Sequence, residues 1–132
     1  MKLITRNTDY AIRAILCMVK SKKNIISVSE LVKETKIPRP FLRRILQILH
    51  KNKILVGYKG LGGGFKLRLK PEKIYILDLV KIFQKDLKLN ECLFKKKICS
   101  NIKNCKLKKV IDSIQNYAIS KLSSITIKSL LN

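Results

Sequence analysis

Apolar residues crowd the first segment of the chain. Between Thr5 and about Lys20 stand Ala11, Ile12, Ala14, Ile15, Leu16, Met18 and Val19. They cover most of a helical circumference, which predicts a largely buried helix. Asn24-Ile25-Ile26 predicts a short strand. Ser27-Val28-Ser29-Glu30 has the form of a capping box, in which the Ser27 hydroxyl takes a backbone N–H and Glu30 reaches back. A short helix should follow through about Thr35. Ile37-Pro38-Arg39-Pro40 breaks it, and Pro40 suits the first turn of a new helix, where its missing N–H costs nothing. That helix, Pro40 to about Lys51, carries Phe41, Leu42, Ile45, Leu46 and Leu49 at helical spacing.

The period then changes. Ile54-Leu55-Val56-Gly57-Tyr58-Lys59 reads as a strand, Gly60-Leu61-Gly62-Gly63-Gly64 as a turn that glycine tolerates best, and Phe65 to Lys70 alternates as the return strand. Pro71-Glu72 ends it, and a helix follows from about Leu77 to Gln84. Asp86 to Asn104 is polar, basic and cysteine-bearing, and reads as a loop. A long amphipathic helix is expected from about Cys105 to Leu122, with Leu107, Val110, Ile111, Ile114, Tyr117 and Ala118 on one stripe. A last short helix would include Ile127, Leu130 and Leu131. The order helix, strand, helix, helix, hairpin is that of a winged helix-turn-helix. The expected fold is therefore mainly α with a small β-hairpin wing, plus a long C-terminal helix. Three regions follow: a DNA-binding domain over residues 1–84, a cysteine-bearing loop over 85–105, and a helix with tail over 106–132.

In this topology the helix from Pro40 is the candidate recognition helix. Arg39, Arg43, Arg44 and Gln47 lie off its apolar face. Arginine can bind two acceptors on guanine at once, and glutamine can do the same on adenine. Ser29, Pro40 and Phe41 complete the candidate set on the helical pair. Lys59 and the turn glycines Gly62, Gly63 and Gly64 form the candidate wing contacts, while Lys51, Lys53, Lys66 and Arg68 suit phosphates.

Charge agrees with this placement. The chain has 132 residues and a net charge of +22, from 30 Lys+Arg against 8 Asp+Glu. Such an excess favours polyanions, nucleic acid before anionic membrane. Lysine outnumbers arginine 24 to 6, a bias that AT-rich coding would also produce, so placement rather than total charge carries the argument. An enzyme is disfavoured by the lack of a phosphate loop or Ser/His/Asp set, by a single histidine, and by few carboxylates. The N-terminal residues do not read as a signal peptide, and no long uncharged apolar run suggests a membrane span. A cytoplasmic protein is expected.

Cys92, Cys99 and Cys105 stand at C-x6-C-x5-C, without the C-x2-C pairs more usual for zinc. In a reducing compartment this clustering points to metal or redox chemistry rather than stapling. An iron–sulfur cluster, a zinc site and a thiol redox switch all remain open on the residues alone. Lys95, Lys96, Lys97, Lys103, Lys106, Lys108 and Lys109 surround them with positive charge. Cys17 sits in the apolar first helix and reads as a core residue. His50 ends the recognition helix, where capping or a phosphate contact suits it better than metal ligation.

Three stretches together resemble a known family: Arg6-Asn7-Thr8-Asp9-Tyr10-Ala11-Ile12-Arg13-Ala14-Ile15, then Pro40-Phe41-Leu42 leading to Ile45-Leu46, and Gly60-Leu61-Gly62-Gly63-Gly64-Phe65. They are similar to the Rrf-two family of bacterial regulators, and the resemblance covers nearly the whole chain. It implies a homodimeric winged-helix regulator, such as a repressor, bound to double-stranded DNA. Its long C-terminal helix would cross onto the partner subunit. The resemblance also implies an iron–sulfur cluster, 4Fe–4S or 2Fe–2S, on Cys92, Cys99 and Cys105. Family members commonly have five residues in each gap; here the first gap is six, which leaves the cluster type open. The histidine of the IscR-like pattern is replaced by Lys106, Leu107 and Lys108. The aspartate of the NsrR-like pattern is matched by Asp9, which would reach the cluster of the partner subunit. That match points to nitric oxide as the signal, ahead of redox state or iron supply. Asp9 also reads as an acid placed in the first turn of a helix by the macrodipole.

Overall fold

The computed structural model describes residues 3–85 and 105–131. The first helix, α1 (Arg6–Lys20), is capped by Thr5, whose side chain accepts from the Thr8 N–H. Its inward face is Thr8, Ala11, Ala14, Ile15 and Met18, all buried; Ile12, Leu16 and Val19 are only partly covered. The helix α2 (Val28–Thr35) starts as expected, with Glu30 N–H donating to the Ser27 hydroxyl at 3.1 Å. The Glu30 carboxylate turns to the Ser27 hydroxyl and to Lys23, the latter at 2.7 Å. Lys36 ends α2 in the left-handed region, and buried Ile37 plugs the turn before α3 (Arg39–Lys51). Pro40 stands in the first turn of α3, and Leu42, Ile45, Leu46 and Leu49 form its buried face.

The hairpin pairs β1 (Leu55–Tyr58) with β2 (Gly64–Leu67) in the antiparallel register Leu55 to Leu67 and Tyr58 to Gly64. Both strands are shorter than the apolar pattern suggested. Arg68 N–H still reaches the Ile54 carbonyl, but Pro71 then opens a single 3-10 turn, Pro71–Lys73. The expected strand at Asn24–Ile26 is reduced to one bridge, in which Ile26 and Phe65 exchange two backbone hydrogen bonds of 2.9 Å. Ser27 immediately begins the α2 cap, so the segment has no length left to pair.

That bridge explains a glycine. A Cβ on Gly64 would lie 2.2 Å from the Ile26 carbonyl oxygen and 2.9 Å from Ser27 Cα, both backbone atoms that cannot swing away. Gly64→Ala is therefore expected to cost about 3 kcal/mol or more, from overpacking plus backbone strain. Chemical denaturation would measure it, and a loss under about 1 kcal/mol would mean that the wing can shift freely off Ile26.

The helix α4 (Ile76–Gln84) buries Ile76, Leu77, Leu79 and Val80 against α1. The long helix α5 (Lys106–Ser124) is capped by Cys105 and packs on α4. The chain after α5 is fastened to the chain before α4: Ile76 N–H donates to Ile125, and Ile127 N–H to Ile74, each at 2.9 Å. Ile127 and Leu122 enter the core there, and a 3-10 turn, Lys128–Leu130, stands where a short last helix was expected. The result is mainly α with a two-stranded wing, a winged helix-turn-helix followed by a long helix. No helix of the described residues is long and apolar enough to cross a membrane.

Candidate nucleic-acid interface and cysteine site

The periodicity of α3 separates two faces. Leu42, Ile45, Leu46 and Leu49 fill the core, which leaves Arg39, Pro40, Phe41, Arg43, Arg44 and Gln47 exposed. A straight apolar face on one side thus sets the arginines and the glutamine on the other. Arg39 and Ser29 are joined, Nη2 to Oγ at 3.0 Å, so these two candidate contacts brace the start of α3 against α2. Phe41 and Arg44 face the first turn of α1, sharing a groove of about 430 Å³ with Thr5, Arg6 and Asn7. Arg6 and Asn7 were not among the candidate DNA contacts, because their neighbourhood to α3 is purely tertiary.

The wing stands beside this helix. His50, in the last turn of α3, meets the Phe65 ring edge-on with centroids 6.4 Å apart, tying α3 to the hairpin. Lys66 Nζ lies 5.6 Å from the centre of the Tyr58 ring on the hairpin surface. Lys59 and Gly62 are exposed. The space beside Gly63 is taken by the carbonyls of Tyr58 and Gly60, so the hairpin's own packing accounts for glycine there, as the Ile26–Ser27 backbone does at Gly64. Leu61 at the tip is fully exposed. It belongs to the outward surface of the wing, and the sequence pattern gave no sign of it beyond its place in the glycine turn.

Of the four candidate metal ligands, Cys105 and Asp9 are described, and Cys92 and Cys99 lie outside the described residues. Cys105 is the N-cap of α5; its Sγ accepts from Lys108 N–H at 3.4 Å. It sits at the positive end of a 19-residue helix whose first turn is rich in lysine. Asp9, in the first turn of α1, is half-exposed and pairs with Arg13 at 3.0 Å. An exposed pair at this spacing contributes only about 0.5 kcal/mol, so Asp9 can leave it at little cost. Among the described residues no three metal-binding side chains converge. Cys17 packs against the core as expected but is only partly buried, and it also lines a groove between α1 and α2, beside Glu34 and Lys20. Burial pushes its thiol pKa up, Glu34 adds to the shift and Lys20 opposes it. The shift disfavours the thiolate, the reactive form of cysteine.

The exposed stripe of α5 is the other unusual surface. Leu107, Val110, Ile114 and Tyr117 are 68%, 55%, 51% and 72% exposed, at spacings of three, four and three residues. Only Leu122 is buried on the whole helix.

Similarity to known proteins agrees with this geometry. Residues 4–132 match the family profile described as "Rrf2: Iron-dependent Transcriptional regulator". The transcriptional regulator NsrR of Shouchella clausii is 30% identical over 131 residues, covering 97% of this chain and 87% of that protein. In fold, the chain is similar to IscR of T. potens at 18% identity and a TM-score of 0.74, covering 98% of this chain and 85% of that one. It is equally similar to CymR, the global cysteine regulator of B. subtilis, at 17% identity and a TM-score of 0.74, covering 98% and 96%. These relatives are regulators and not enzymes, and the chain belongs to the Rrf2 family of transcriptional regulators.

Proposed function

We infer that the protein is a homodimeric repressor that reads double-stranded DNA with α3 and the wing, and that the state of its cysteine segment sets its affinity. The observation that carries the DNA reading is the exposed face of α3, where Arg43, Arg44 and Gln47 stand clear of the core beside a lysine-bearing wing. Two such helices in a dimer meet successive major-groove faces roughly 34 Å apart on a near-palindromic site. Arg43, Arg44 and Gln47 contact base edges; Ser29, Arg39, Pro40 and Phe41 fix the helix against the backbone. Lys59 and the Gly62–Gly64 tip lie along the adjacent groove.

Arg43→Ala and Arg44→Ala are each expected to weaken specific binding by about 1–3 kcal/mol and to relax preference at one or two bases. Selection of binding duplexes from a random pool, followed by affinity measurements, checks this. Unchanged operator binding in both variants would mean that another element reads the bases.

Homodimerisation rests on the α5 stripe. A long helix with one buried residue gains little from its own subunit, and apolar positions at alternating spacings of three and four form a seam for a second copy. For the cysteine segment, the donor set fits an iron–sulfur cluster: Cys92, Cys99 and Cys105 as thiolates, with Asp9 of the partner subunit as an oxygen ligand. Such a cluster supplies iron–thiolate bonds that nitric oxide, oxidants or iron shortage can break. Cys105 holds one thiolate at the head of α5, Asp9 ties α1 of one subunit to the cysteine segment of the other, and the lysines beside Cys105 offset negative charge. Release of that tie alters α1 and, with it, the recognition helix, so the two states differ in DNA affinity.

A second reading uses the same three cysteines without iron, as a thiol redox switch or a zinc site. The likeness of fold to CymR favours it, and the Cys92–Cys105 spacing permits it. Iron, sulfide and zinc analysis of anaerobically prepared protein separates the two readings.

A further inference from the structure

Gln84 closes α4, and its side-chain amide makes three hydrogen bonds. Its Oε1 accepts from the Thr5 backbone N–H at 2.9 Å and from the Thr8 hydroxyl at 2.7 Å, while its Nε2 donates to the Leu3 carbonyl at 3.1 Å. Thr8 is the buried polar residue of the described core, and Thr5 is the cap of α1. The one amide therefore grips the start of α1 at three points. On their other side, Thr5, Arg6 and Asn7 share the groove with Phe41 and Arg44 of α3. Behind Gln84, α4 packs on α5, and the residues carrying Cys92 begin shortly after it in the chain.

We propose that Gln84 is a positioning residue that carries displacements of α4 through the first turn of α1 to the recognition helix. The proposal rests on the reading of α3 as the DNA-contacting helix. A hydrogen-bonded grip suits this task better than apolar packing, because its three bonds fix direction as well as distance. The amide is specifically needed. A carboxylate at this position keeps the two acceptor contacts but sets oxygen against the Leu3 carbonyl, and a leucine fills the space with no bond at all. The start of α1 is also held by the Thr5 cap and by Ile4 and Thr8 against the core, while Leu3, Arg6 and Asn7 are exposed.

The test compares the full-length parent with Gln84→Leu, Gln84→Glu and Thr8→Val. Hydrogen–deuterium exchange is read over Thr5–Asp9 and Phe41–Arg44, and affinity is measured for a selected operator and a scrambled duplex. Gln84→Leu is expected to speed exchange about fivefold in both segments and to leave α2 unchanged; the net loss is on the scale of one hydrogen bond, because Thr8 keeps the Thr5 hydroxyl and the exposed Leu3 carbonyl turns to water. The operator-to-scrambled affinity ratio should fall about fivefold with scrambled binding intact. Gln84→Glu and Thr8→Val should move both readouts in the same direction by less. Faster exchange confined to Thr5–Asp9, a uniform rise across the domain, or equal loss on both duplexes would overturn the proposal. A parent that does not distinguish the duplexes would instead sink the DNA reading itself, so the two failures are distinct.

Discussion

Ile114→Asp is expected to turn the dimer into a monomer and to lower operator affinity by about a hundredfold or more. Ile114 lies in the middle of the Leu107–Val110–Ile114–Tyr117 seam and is half-exposed in the subunit, so the substitution leaves the subunit core intact. In a dimer the same change buries two aspartates in an apolar seam. At about 2 kcal/mol or more for each uncompensated charge, dimerisation weakens by about 4 kcal/mol, or roughly a thousandfold. A monomer then engages one half-site only and loses the gain of simultaneous binding. Sedimentation velocity and operator titration on the same sample check both effects, with Ile114→Leu as the control that keeps the seam apolar. A dimer that survives Ile114→Asp would move the interface off this stripe.

Cys105→Ser is expected to abolish visible absorbance and bound iron while leaving the fold unchanged. The separation is possible because Cys105 does two jobs. As the N-cap of α5 it accepts one backbone N–H through sulfur, and serine performs that task at least as well. As a thiolate it would supply one of three sulfur ligands, and serine does not replace it under ordinary conditions. The variant should stay dimeric, with unchanged circular dichroism, and its operator affinity should no longer respond to nitric oxide. Cys99→Ala should match it. Full colour in either variant would remove that residue from the ligand set.

Much of the DNA-reading half was legible because its signals are local. Pro40 followed by Phe41, Leu42, Ile45, Leu46 and Leu49 marked both the start and the buried face of α3. The Ser27 cap marked α2, and the glycine run marked the wing. Pattern did not reveal what only tertiary contact decides. Ile25 and Ile26 are apolar and β-branched, yet Ile26 makes one bridge, because the cap at Ser27 ends the segment. Gln84 looked like a polar helix end; its grip on Thr5 and Thr8 spans more than 70 residues of sequence and leaves no periodic trace. Cys17 stood among core residues, but the face it occupies opens onto the α1–α2 groove. The stripe on α5 was visible, whereas its exposure was not, since periodicity marks an apolar face without saying which chain covers it.

The most direct test is an anaerobic nitric oxide titration of the dimer bound to a selected operator. Visible absorbance and DNA anisotropy are followed together, with iron and sulfide assayed on the same preparation. Loss of an iron–sulfur band in step with an affinity change of about tenfold or more is the predicted result. A protein that stays colourless after attempted cluster reconstitution, or one whose operator affinity is unmoved while the band bleaches, would contradict it.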